Sequence, residues 1–262
     1  MKICRCTYRG KTRFGIVEHD RVSFLKQDPL VAVERTGDQA ALDDVELLAP
    51  VVPPNVIAIG TNYMGHVAET NAPRPERPLV FLKATTSVTD PGRTIELPRM
   101  APDEVDYEAE LVIVIGKKAR HVAPEDALDV VFGYTCANDV SARDCQKKLD
   151  RQWARAKSFD TFCPLGPWIE TELDPADVRV TTRLNGQTMQ DSTTANLIFD
   201  CPTLISYLSD AMTLLPGTLI LTGTPDGVGM AQDPPRYLRQ GDVVEVEVGG
   251  IGVLRNPVGN EP

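Results

Sequence analysis

The stretch VDYEAELVIVIG, Val105 to Gly116, sets three carboxylates at alternate positions: Asp106, Glu108 and Glu110. In a strand, alternate side chains share one face. Like charges so placed repel, and a buried carboxylate is costly unless it is paired or bound to a cation. Glu108 and Glu110, two residues apart, can reach one ion together. Hard divalent ions take oxygen ligands and leave positions to water or substrate. Asp139, in CANDVSARD, follows another apolar run and offers a third carboxylate. Around a doubly charged ion the three would leave part of the coordination open to a bidentate ligand. The spacing leaves a second reading open: a solvated strand edge for the glutamates and a turn residue in Asp139.

Other segments carry groups suited to the same chemistry. NYMGHVAE places His66 and Glu69 three residues apart, neighbours on a helical turn, where a carboxylate could orient an imidazole. SARDCQ offers Arg143 and Gln146 at the same spacing. Lys157 lies in AKSFDTFCPLGPW, among aromatic and small residues. LTGTPDGVG is a glycine-rich turn with the hydroxyls of Thr222 and Thr224 and backbone N–H groups that could hold a carboxylate. Without GK[ST] it is not a phosphate loop.

The elements that must position these groups are mostly strands. PLVFLK, TIELP, AELVIVIGKKA, DVVFGYTCAND, VRVTTRLNG, GTLILTGTPDGVG and DVVEVEVGGIGVLRNPV are short apolar runs between Gly/Pro turns. LNGQ carries an Asn185-Gly186 hairpin turn. PEDALDVV reads as a short helix with Pro124 near its start; CPTLISYLSDAMTLLPG reads as the main helix, closing at Pro216-Gly217. The polar, proline-rich ETNAPRPERP, residues 69–78, reads as a loop or lid. VVPPN divides a small N-terminal domain, 1–50, from a larger one, 51–262.

Hydrophobic residues at 42% and charged residues at 24% suit a globular chain, and no apolar run is long enough to span a bilayer. A formal net charge of −10 argues against nucleic acid or an anionic membrane as partner, though not against a small anion. The N-terminus has no signal-peptide pattern, so the expected location is the cytoplasm. Six cysteines without a CxxC pair read as reduced core residues, with Cys4 and Cys6 on one face of a first strand.

Taken in order, AIGTNYMGHVAE, PLVFLK, DEVDYEAELVIVIGKKAR, VFGYTCANDVSARDCQ, KSFDTFCPLGPW, LNGQTMQDSTTANLIF, LLPGTLILTGTPDGVG and GDVVEVEVGGIGVLRNPV resemble the fumarylacetoacetate hydrolase superfamily, over roughly Val51 to Val258. The resemblance implies a β-rich α+β fold, a mixed-sheet β-roll with a small N-terminal α/β domain, usually a homodimer. It implies Mg²⁺ or Mn²⁺ on Glu108, Glu110 and Asp139, with Lys157 beside the metal. Arg143 and Gln146 are then substrate contacts, Thr224 is a carboxylate anchor, and His66 with Glu69 lies on a segment over the ligand.

The implied substrate is a small 2-oxo or diketo acid. The expected reaction is hydrolysis of a C–C bond in an acylpyruvate-type 2,4-diketo acid, through a metal-stabilised pyruvate enolate, with His66 activating water. Isomerisation of 2-hydroxy-dienedioates and decarboxylation of oxaloacetate are the alternatives on the same metal site. A non-catalytic ligand-binding descendant is a further one. Met64, where an Arg or Lys is common, and Lys83-Ala84, where Lys-Pro is common, depart from the pattern near the substrate entrance. Asp106 is read as a group that orients a ligand residue, Trp153 and Trp168 as packing residues, and His121 as core or surface. Tyr63 is read as either a substrate contact or core.

Overall fold

A computed structural model describes residues 1–262. Its largest sheet has twelve strands. Five of them form one continuous path: Lys2–Tyr8, Cys163–Glu170, Val131–Asn138, Ala109–Ile115 and Leu219–Leu221. Beyond Leu219–Leu221 come Val56–Gly60, paired parallel, and the edge strand Leu79–Lys83, paired antiparallel. A five-stranded sheet, which includes Arg179–Leu184 and Val243–Val248, packs across the first. Strand Ala109–Ile115 is buried along its whole length. Leu111, Ile113 and Ile115 face the main core; Val112 and Val114 face a second cluster on the opposite side. A strand covered on both faces reads as a continuous apolar run, and Glu110 is its one charged residue.

The β-rich mixed-sheet architecture agrees with expectation. The N-terminal part does not: residues 1–50 contain five strands and one 3₁₀ turn, and no α-helix. Gly10 and the reversal at His19-Asp20 turn the first strands directly into antiparallel neighbours, so no crossover helix is required. Lys2 and Ile3 pair with Glu170 and Ile169, which makes these strands an extension of the large sheet. All six cysteines are buried and free, and Cys4 and Cys6 share one small apolar cluster.

The main helix is Cys201–Ala211, started by Asp200, whose carboxylate accepts from Thr203 N at 2.9 Å. It ends before Pro216-Gly217 because Met212 is extended and Leu214 exchanges two backbone hydrogen bonds with Ala119, each 2.9 Å. Pro124–Val130 is 3₁₀ in geometry and not an α-helix. Asn185 and Gly186, both at positive φ, close the hairpin as the sequence indicates. No helix is long and apolar enough to cross a membrane.

Candidate metal centre and active site

The alternation of Asp106, Glu108 and Glu110 does not survive as one unbroken strand. Strand Val105–Asp106 pairs with Ser141–Ala142, the chain steps out at Tyr107-Glu108, and the long strand begins at Ala109. None of the three carboxylates is in water; all are buried. Asp139 comes beside Glu108 through the antiparallel register Ala109↔Asn138, extended by Asp139 N donating to Glu108 O at 2.8 Å. Asn138 Oδ1 in turn accepts from Glu108 N at 2.9 Å. Oxygens of Glu108, Glu110 and Asp139 then lie within 4.8 Å of one another.

The partners of these carboxylates are unequal. Lys157 Nζ donates to Glu108 at 2.7 Å and to Asp139 at 2.5 Å. Arg143 Nη1 lies 2.8 Å from Glu108 Oε1. Lys83, which the sequence reading singled out only as a departure from the pattern, is buried with Nζ 2.5 Å from Asp139 Oδ1. Burial disfavours the charge on Glu108, but Lys157 and Arg143 outweigh it and hold the carboxyl well below its usual range. Burial also opposes the charge on Lys157, and Asp139 and Glu108 outweigh it, so its ammonium is raised. Glu110 has no cationic neighbour in direct contact; Gly223 N donates to it at 2.7 Å. Burial, then Asp139 and Glu108, push its carboxyl well above the ordinary value. A buried carboxylate facing two others requires a proton or a cation. Three oxygen donors with that unmet demand fit a hard divalent ion.

His66 sits on the short helix Met64–Glu69, with Nδ1 2.6 Å from Glu69 Oε1. Glu69 Oε2 accepts from Gly227 N at 2.8 Å. The glycine-rich turn therefore does hold carboxylates, but they are the protein's own Glu110 and Glu69. Gly65 permits the helix to dock there, since a Cβ at that position would lie 2.0 Å from Asp226 Oδ1. Thr222 donates to Leu111 O at 2.9 Å. Thr224 reaches the cavity wall, but its hydroxyl donates to Ala109 O at 3.0 Å and accepts from Gln190 at 2.8 Å.

Arg143 is fixed by Asp106, which accepts from Nε at 2.9 Å and from the N–H groups of Gly229 and Met230 at 2.7 and 3.0 Å. Asp106 thus positions a neighbouring side chain and stays outside the carboxylate cluster. Gln146 accepts from Arg143 Nη1 at 2.8 Å, which leaves its amide NH₂ to offer. Arg143 Nη2 is buried and has no partner.

One cavity of about 480 Å³ brings these groups together: His66, the three carboxylates, Arg143, Gln146, Lys157 and Thr224 all line it. Glu69 stands behind His66 and outside that lining. The loop after the short helix contributes Arg74 and Arg77 to the rim, and Lys147 stands on another wall. Trp153, expected to be packing only, also lines the cavity; its ring covers Gly60, where a Cβ would lie 2.4 Å from it, and meets Phe81 edge-on at 5.5 Å. Trp168 does pack, donating to Ile251 O at 2.8 Å, and His121 is an exposed partner of Asp210. Tyr63 is core, fully buried and away from the cavity lining.

The profile of the fumarylacetoacetate (FAA) hydrolase C-terminal family matches residues 55–259, and that of an Rv2993c-like N-terminal family matches residues 1–50. The mitochondrial oxaloacetate tautomerase fahd2 of Xenopus laevis is 46% identical over 82% of this chain and 69% of its own length. A solved structure of 5-carboxymethyl-2-hydroxymuconate delta-isomerase from Mycobacterium smegmatis superposes with a TM-score of 0.91 at 44% identity, over 100% of both chains. A fumarylacetoacetate hydrolase from Exiguobacterium antarcticum gives 0.91 at 39% identity, again over 100% of both chains. With the family profile covering most of its length and its buried carboxylate cluster at the centre of the matched region, the chain belongs to the fumarylacetoacetate hydrolase family.

Proposed function

We propose that this protein is a divalent-cation-dependent enzyme of 2-oxo acids that moves a proton between carbon 3 and the oxygen on carbon 2, as a tautomerase or isomerase. The observation that carries this reading is the His66–Glu69 contact of 2.6 Å, with His66 facing the cavity that the three carboxylates line. Similarity to proteins named oxaloacetate tautomerase and hydroxymuconate isomerase supports it. Mg²⁺ or Mn²⁺ held by Glu108, Glu110 and Asp139 would supply positive charge where negative charge develops on the substrate oxygens.

The chain's own residues do the rest. Glu69 accepts from His66 Nδ1–H, which leaves Nε2 as the basic nitrogen of the ring. That nitrogen takes the proton from carbon 3 and returns it to the product. Lys157 offsets the carboxylate charge beside the reacting oxygens. Arg143 and Gln146 orient the substrate through Nη2 and the amide NH₂. The loop carrying Arg74 and Arg77 walls off part of the cavity from solvent.

A second reading is the C–C hydrolysis expected from the sequence. In it His66 takes a proton from water, hydroxide adds at carbon 4, and the C3–C4 bond breaks to give pyruvate and an acid. It is favoured by the cavity, whose 480 Å³ exceeds what a four-carbon acid fills. One experiment separates the two. Purified protein with Mg²⁺, and with an EDTA control, is offered oxaloacetate enol, a 2-hydroxy-dienedioate and acetylpyruvate. EDTA-sensitive loss of enol or dienoate absorbance that yields only the isomeric 2-oxo acid, with no pyruvate or CO₂ released, supports proton transfer. Pyruvate plus a free acid from acetylpyruvate supports hydrolysis, and pyruvate plus CO₂ from oxaloacetate supports decarboxylation. No acceleration of any of the three refutes the catalytic reading.

A further inference from the structure

Strand Ala109–Ile115 has Val131–Asn138 along one edge, but on the other it is in register with Leu219–Leu221 only from Val112 to Val114. Thr222 extends that second edge by one step, its N–H reaching Leu111 O at 3.1 Å. At Gly223, φ +100°, the chain turns away. The N–H and C=O of Ala109 would then be buried without a strand partner, which is costly. Side chains take the place of the strand. Ala109 N donates to Gln190 Oε1 at 2.9 Å, and Ala109 O accepts from Thr224 Oγ1 at 3.0 Å. Gln190 Nε2 donates to Thr224 Oγ1 at 2.8 Å, which closes a ring of three hydrogen bonds. The same amide donates to Pro225 O at 2.8 Å and accepts from Thr182 Oγ1 at 2.6 Å, so its whole hydrogen-bonding capacity is used. Gln190 is buried on Gln187–Thr193, a strand of the second sheet. Ala109 stands between Glu108 and Glu110, and its backbone dihedrals set the direction of one carboxylate relative to the other. The turn that Gln190 grips also carries Gly223 N, which donates to Glu110, and Gly227 N, which donates to Glu69.

We propose that Gln190 is a positioning residue of the carboxylate cluster: by fixing Ala109 and the turn at residues 222–227 to each other, it sets the spacing of Glu108 and Glu110 and thereby the affinity for a divalent cation. This rests on the reading of Glu108, Glu110 and Asp139 as a cation site. Gln190 lies outside the cavity lining, so its effect passes through Ala109 and Thr224. No strand of the second sheet contributes a residue to the cavity lining, and Gln190 makes that sheet part of the site all the same.

The test is calorimetric titration of Mg²⁺ into metal-free protein, with the Tm of the same EDTA-treated samples as the measure of stability. Gln190→Met keeps the length of the side chain without its amide and should bind Mg²⁺ about 10- to 100-fold more weakly. Thr224→Val breaks the same ring at another member and should weaken binding by a similar factor, whereas Thr224→Ser keeps the hydroxyl and should keep the affinity. The double variant Gln190→Met with Thr224→Val should bind within about twofold of the weaker single variant, because a ring already broken has little left to lose. Asn256→Ala removes another buried amide, one that donates to Asp90 O and Arg93 O at 3.0 and 2.8 Å outside the cavity lining. It should lower Tm and leave Mg²⁺ affinity within about twofold of the wild type. Lowered Tm with wild-type Mg²⁺ affinity in Gln190→Met means that the amide only stabilises the fold, and overturns the proposal. Additive losses in the double variant overturn it too. If Gln190→Met does not fold, Thr224→Val is read by the same criterion, and unchanged affinity there overturns the proposal. Failure of the wild type to bind Mg²⁺ overturns the cation reading and this inference with it.

Discussion

Gly227 donates its backbone N–H to Glu69 Oε2 at 2.8 Å, and Glu69 Oε1 meets His66 Nδ1 at 2.6 Å. One carboxylate therefore locks the imidazole to a turn that lies 158 residues away in the chain. On the proposed role of His66 as the base, His66→Ala should lower kcat by about 10²- to 10⁴-fold. Glu69→Gln should lower it less, with Mg²⁺ affinity kept in both variants. Gly227→Ala should also slow turnover, because at φ +101° a Cβ would lie 2.0 Å from Met189 O and displace the turn. Steady-state kinetics with Mg²⁺ titration checks all three, and full kcat in His66→Ala rules out the dyad.

Glu110 should make cation binding at the proposed site dependent on pH. Burial and two facing carboxylates hold its proton above the ordinary carboxylate value, so a bound cation must displace that proton. Affinity for Mg²⁺ should then fall about tenfold per pH unit on the acid side of the raised value. The sign for stability follows. The folded chain holds this proton more tightly than the unfolded chain, so without a cation it loses stability as pH rises from the usual carboxylate range through the raised value. EDTA should therefore lower Tm more at about pH 8 than at about pH 5.5. An equal effect at both, or an unchanged pH dependence in Glu110→Gln, contradicts this.

Lys83 is one of three cations, with Lys157 and Arg143, set directly against Asp106, Glu108 and Asp139. Lys83→Met keeps the volume and removes one of them, leaving Lys157 alone on Asp139. Cation-free protein should lose about 3–5 kcal/mol, the usual cost of removing one partner from a buried pair. Mg²⁺ should then raise the Tm of the variant by more than it raises that of the wild type, because it replaces missing positive charge. A smaller rise in the variant would show that Lys83 mainly shapes Asp139.

Asp106 has no exposure to solvent and gathers Arg143 with three backbone donors, those of Tyr107, Gly229 and Met230. Asp106→Ala should cost about 3–5 kcal/mol in urea unfolding, since it leaves Arg143 Nε and three backbone N–H groups without their acceptor. A cost below about 1 kcal/mol would mean that water replaces the carboxylate fully.

The carboxylate cluster was legible because its geometry is local: two glutamates two apart, and an aspartate at the end of the strand that pairs with theirs. His66 and Glu69 were legible for the same reason, as neighbours on one helical turn. Lys83 was not assigned, since its partner Asp139 is 56 residues away and nothing near position 83 points to it. The role of Thr224 as an anchor rested on its hydroxyl, which long-range contacts to Ala109 and Gln190 occupy. Trp153 looked like core because an indole packs readily, and only the tertiary fold shows one side of the ring opening onto the cavity. In the N-terminal part a first strand carrying Cys4 and Cys6 was legible, and only the α/β expectation fails, because tight turns between antiparallel strands leave no crossover for an α-helix.

The edge strand Leu79–Lys83 begins where the arginine-bearing loop ends and finishes at the ammonium on Asp139. At roughly 3.3 Å per residue it is a spacer of set length between the mouth and the floor of the cavity. A longer or shorter loop from a relative can be grafted at residues 70–78 only if that spacer keeps its register with Val56–Gly60. A slip of one residue would turn Lys83 to the opposite face and withdraw its charge from Asp139. The loop can thus vary in length at the mouth of the cavity, while the strand behind it must keep both its length and the lysine at its end.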